Sequence, residues 1–67
     1  MITKLKLLTD GGYRGLEAAV GKEFNATKML GCWCIQSAEL KAVGCTPCMK
    51  EYAFLPREVK IVWQPSV

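Results

Sequence analysis

The chain predicts a mainly β fold, in which five short antiparallel strands form a sheet that curls on itself. Three observations carry this expectation. Apolar residues recur with period two in short segments, the pattern of half-buried strands. Glycine and proline punctuate those segments at short intervals, which leaves little room for long helices. The chain is 67 residues long, 51% hydrophobic and 22% charged, the composition of a folded domain whose apolar residues one flat sheet could not bury.

The first strand runs from Met1 to Thr9, with Thr3, Leu5, Leu7 and Thr9 on one parity and Ile2, Lys4 and Lys6 on the other. Asp10-Gly11-Gly12 stops it, because glycine accepts positive φ without steric cost. A long excursion follows, in which Leu16 to Val20 is expected to make one helical turn with Leu16 and Val20 pointing inward. Lys22 to Met29 reads as the second strand, with Phe24, Ala26 and Lys28 sharing a face. Leu30-Gly31 is a turn.

The third strand is Cys32-Trp33-Cys34-Ile35-Gln36, and its tryptophan and isoleucine should take the core because they bury the larger apolar area. Two readings of Ser37 to Gly44 stand side by side. One is a short helix with Ser37 as N-cap and Gly44 just past its end. The other continues the strand, with a bulge, into Leu40, Ala42 and Val43. Tyr52 to Leu55 is the fourth strand, Pro56-Arg57-Glu58 suits a single 3₁₀ turn with proline at its start, and Val59 to Trp63 alternates as the fifth. The single domain therefore spans 1–63, and 64–67 is expected to be a frayed tail.

A strand, a long excursion, central strands and an aromatic strand running through a proline-containing turn into a last strand, here "EYAFLPREVKIV", resemble the SH3-like small barrel. More narrowly, "GLEAAVGKEF…GCWCI…YAFLPREVKIV" resembles small accessory proteins encoded by bacteriophages and prophages, which place "VGK-x-F/Y" before the second strand and end on "F-x-x-x-E-V-x-V-V". The resemblance covers Lys4 to Val62. It implies a five-stranded antiparallel SH3-like barrel that serves as a binding module, with a partner chosen by surface loops and no catalytic residues. Recognition of proline-rich peptides is not expected, because "GGYRGLEAAVG" offers only Tyr13 and Glu17 toward the aromatic and acidic groove it needs.

All four cysteines lie between Cys32 and Cys48. A zinc site needs four thiolates at about 2.3 Å from the metal. Cys45-Thr-Pro-Cys48 has the spacing of one zinc knuckle, whereas Cys32-Trp-Cys34 shares one strand face but lacks the two-residue spacer. If the chain turns near Ser37 to Leu40, Cys32 comes opposite Cys45 and the thiols converge. If the strand runs straight, which the barrel expectation favours, Cys34 and Cys45 stand roughly 30 Å apart. The competing readings are buried or loop thiols and a redox pair at Cys45 and Cys48. The redox pair lacks the helix that lowers a thiol pKa, since "MKEYAFL" reads as strand.

The chain has no histidine, which removes the commonest general base and the partner of Cys and Ser nucleophiles. With its carboxylates scattered, enzymatic activity is not expected. No segment approaches the roughly 18 apolar residues of a membrane span and the N-terminus lacks a signal-like apolar run, so a cytoplasmic protein with no membrane partner is expected. The net charge of +3 is spread along the chain as on an ordinary solvated surface.

The expectation is a small non-enzymatic binding module, a phage or bacterial accessory protein that engages another protein and is open to homo-oligomerisation. Tyr13, Arg14, Lys50 and Trp63 are its candidate contacts, with the loop Gly44 to Lys50. A tryptophan that ends an alternating strand also reads, and more readily, as a lid on the core. One alternative is a nucleic-acid-binding barrel, for which Lys4, Lys6, Lys28, Lys41, Lys60 and Tyr13 must gather on one face. The other is a mini-domain stabilised by zinc on Cys32, Cys34, Cys45 and Cys48; otherwise no cofactor is expected.

Overall fold

The computed structural model describes residues 2–65. Its strands are β1 (Thr3–Leu7), β2 (Glu23–Met29), β3 (Cys32–Gln36), β4 (Glu51–Phe54) and β5 (Val59–Trp63). One short helix, α1 (Ser37–Lys41), lies between β3 and β4, and 3₁₀ turns occupy Glu17–Ala19 and Pro56–Glu58. The strands form an antiparallel sheet of order β4-β3-β2-β1-β5. The sheet is open, with β4 and β5 at its two ends. Met1, expected at the start of the first strand, and Ser66 and Val67 of the expected tail lie outside the described residues, while Gln64 and Pro65 follow β5 without regular structure.

β2 curls the sheet by changing partners midway. Thr3 to Lys6 of β1 pair with Glu23 to Ala26, whereas Thr27 to Met29 pair with Cys32 to Cys34 of β3. Each half of β2 thus belongs to a different half-sheet, and the core fills the angle between them. Leu5, Leu7, Phe24, Ile35, Tyr52 and Phe54 are all at most 2% exposed within it. The turn from β2 to β3 has positive φ at both Leu30 and Gly31, 50° and 81°, the backbone of a tight two-residue hairpin.

The excursion between β1 and β2 departs from expectation at one residue. Leu16 and Ala19 are fully buried while Val20 is exposed, because a 3₁₀ turn eclipses residues three apart rather than four. Lys28 follows the inward parity of β2 at its exposed end, where its Nζ lies 5.6 Å from the centre of the Trp33 ring.

Ser37 to Gly44 is helix followed by turn, not the straight strand that the barrel expectation favoured. Winding into α1 carries Leu40 to full burial, and the Ser37 amide donates to the Lys50 carbonyl at 2.8 Å, closing the base of the insertion. Gln36 rather than Ser37 takes the N-cap position, without a side-chain bond, and Gly44 follows the helix at φ 95°. At the other end, Glu58 fixes the turn into β5. Its Oε1 accepts the Leu55 amide at 2.8 Å, and its carbonyl accepts the Leu8 amide at 2.9 Å.

Candidate functional site

The alternation of β5 predicts Val59, Ile61 and Trp63 on one face, with Trp63 as a core lid. The β1–β5 register places Val59 opposite Leu7, Lys60 opposite Lys6 and Ile61 opposite Leu5, then slips so that Trp63 stands opposite Lys4. Val62 is the extra residue of this bulge, and a one-residue insertion sends every later side chain to the other face. Trp63 therefore lies on the outer face and is 60% exposed. Ile61, Val62 and Trp63 form a run of exposed apolar residues on the last strand, joined on the surface by Ile2.

Two shallow depressions adjoin there. Ile2, Lys4, Asn25 and Trp63 line one of about 480 Å³. Ile2 and Asn25 also border the second, of about 290 Å³, which extends over Thr27, Cys34 and Gln36 to Ala38 and Glu39 of α1. Asn25, opposite Lys4 of β1, lies just before β3 joins β2 at Thr27, and its amide donates to Glu39 Oε1 at 3.0 Å. The carboxylate thus takes the bond that a neighbouring strand would otherwise supply. Nothing in the local sequence marks Ile2, Asn25 or Glu39 as partners, since they meet only through strand register.

Of the residues nominated for nucleic acid, the structure gathers Lys4, Lys6 and Lys60 on the outer face of β1 and β5. It places Lys28 against Trp33 and Lys41 on α1. Tyr13 serves the fold. Its ring packs edge-on against Tyr52 and Phe54, with centroids 4.8 and 5.5 Å away, and its hydroxyl donates to the Ala53 carbonyl at 2.8 Å. Arg14 and Lys50 are exposed, one in the excursion and one in the loop before β4. These two segments are joined where the Thr46 amide donates to the Gly15 carbonyl at 3.1 Å.

Among the described residues, no three His, Cys, Asp or Glu side chains gather as a metal would need. Cys45 belongs to the core cluster, Cys34 is buried, Cys32 is half-buried and Cys48 is exposed. Burial raises the Cys34 pKa, with smaller contributions from Glu51 and Cys32. Burial also raises that of Cys45, with Glu17 adding to the shift and an Ala19 backbone hydrogen bond opposing it. Both shifts favour the neutral thiol, a poorer nucleophile than the thiolate. The Cys45–Cys48 loop is anchored by Tyr52, whose hydroxyl oxygen accepts the amides of Cys48 at 2.7 Å and Met49 at 3.2 Å.

Comparison of the chain with protein-family models, with curated proteins and with solved structures found no match. Among the described residues no helix is long and apolar enough to cross a membrane.

Proposed function

We propose that the chain is a small non-enzymatic binding module of SH3-like build that engages another protein through the free edge of β5. The observation that carries this reading is the run Ile61-Val62-Trp63, exposed on a strand that ends the sheet. A terminal strand offers unpaired amides and carbonyls along one side, which an extended polypeptide can join as a further strand. The SH3-like build draws support from the strand order, the shared bent β2 and the 3₁₀ turn before β5.

Selection of displayed random peptides on the immobilised protein tests the reading. Enriched peptides should alternate β-branched or aromatic residues, and Val62→Lys should abolish their capture without lowering the melting temperature. Enrichment of proline-rich or helical peptides, or capture indifferent to Val62→Lys, would refute it. A second reading, nucleic-acid binding, draws on Lys4, Lys6 and Lys60 beside Trp63, and it requires affinity that collapses as salt rises.

A further inference from the structure

We infer that the segment joined to β5 is an extended acidic one, with a carboxylate directly opposite Lys60; this rests on the edge reading above. The outer face carries a row of three side chains across three strands, Glu23 on β2, Lys6 on β1 and Lys60 on β5, each directly opposite the next. Opposite charges facing each other across a ladder stabilise it and like charges destabilise it. Lys6 has an acid on one side. Lys60 stands opposite Lys6 in the ladder, and its other side is the free edge of the sheet. A strand added there places one residue at the vacant end of the row, and an acid at that position completes the order acid, base, base, acid. The next outer-face row, Asn25, Lys4 and Trp63, ends on an exposed indole at the same edge.

Other occupants fit less well. A second copy pairing antiparallel about Ile61 would set Lys60 against Val62 and bring together two chains of net charge +3. A lysine and a bulge on an edge strand also oppose indiscriminate pairing, so Lys60 selects against strands that do not offset its charge. Nucleic acid would satisfy the lysines but leave the backbone groups of the strand edge unused.

The test uses fluorescence anisotropy with four labelled probes. They are a capped eight-residue peptide alternating valine with glutamate, the same peptide with glutamine or with lysine in place of glutamate, and an oligothymidylate of twelve nucleotides. The glutamate peptide should bind at least threefold more tightly than the glutamine peptide, and the advantage should shrink with salt. Lys60→Glu should reverse the order, so that the lysine peptide becomes the tightest ligand. Equal affinity for the glutamate and glutamine peptides would overturn the acidic inference and leave the edge reading standing. Binding of none of the peptides would overturn both, and tight salt-sensitive binding of the oligothymidylate in that case would assign the face to nucleic acid. Sedimentation of the free protein as a dimer that Val62→Lys dissociates would assign the edge to a second copy and overturn the inference as well.

Discussion

Gly15→Ala should be the most damaging small substitution in the excursion, and Gly12→Ala provides its control. The two glycines have nearly the same backbone, φ +80° at Gly15 and +81° at Gly12, so alanine meets the same left-handed strain at each, roughly 1 kcal/mol. Their surroundings differ. A Cβ at Gly12 meets nothing within 4 Å, whereas at Gly15 it would lie 2.7 Å from Thr46 Oγ1 and 2.8 Å from the Thr46 carbonyl oxygen. Relieving that overlap moves backbone and opens the Thr46-to-Gly15 hydrogen bond of 3.1 Å, which adds about 1 kcal/mol to an overpacking cost of about 1–2 kcal/mol. Gly15→Ala should therefore cost about 3–4 kcal/mol, against a total stability of roughly 3–10 kcal/mol for a domain of this size. At about 4–8 °C per kcal/mol, thermal unfolding followed by circular dichroism should show a loss of about 5 °C for Gly12→Ala and at least about 12 °C for Gly15→Ala. Adding Thr46→Ala to Gly15→Ala should recover only part of the loss, because it removes the hydroxyl and leaves the carbonyl. Equal losses for the two glycine variants would show that the excursion and the loop before β4 are not held against each other.

Three further outcomes follow from the same geometry. Tyr52→Phe removes the acceptor shared by the Cys48 and Met49 amides and should cost about 1–3 kcal/mol, with those two amides exchanging faster by NMR; unchanged exchange would disprove the anchor. Cys34 and Cys45 have raised pKa values in the fold, so the folded chain holds their protons more tightly than the unfolded chain. Their contribution is present at neutral pH and is lost as pH climbs above the ordinary thiol value of 9.0 through the raised values. Urea midpoints from pH 7 to 10.5 should fall more for the wild type than for Cys34→Ala/Cys45→Ala, and parallel curves would contradict the shifts. Leu30→Asn should stabilise the protein by about 1 kcal/mol, since Leu30 is fully exposed at φ 50° and asparagine tolerates that backbone better; a lower urea midpoint would count against this hairpin geometry.

Features set by neighbouring residues were legible in the sequence. The alternation of Thr3, Leu5 and Leu7, the inward Trp33 and Ile35, the Leu30-Gly31 turn and the 3₁₀ turn at Pro56–Glu58 depend on local period, side-chain size and the fixed φ of proline. Val20 points outward against the expectation because the periods of a 3₁₀ turn and an α-helix cannot be told apart over five residues. Ser37 to Gly44 stayed ambiguous because what favours the helix is a distant hole that Leu40 fills. Trp63 reads both as a candidate contact and as a core lid, and the bulge at Val62 that turns it outward exists only in the pairing with β1. The candidate site consists largely of such register effects, so Lys6 beside Lys60 and Asn25 beside Glu39 are invisible in a linear reading.

The double membership of β2 also bears on the order in which the chain folds. The β2–β3 hairpin closes through two residues and should form early. Joining β1 to β2 requires the excursion from Leu8 to Lys22 to be closed, and joining β5 to β1 links Leu7 to Val59 across most of the chain, the costliest closure in conformational entropy. β5 is thus the last strand to zip, and a ligand captured along its edge would act as a clasp on the whole sheet.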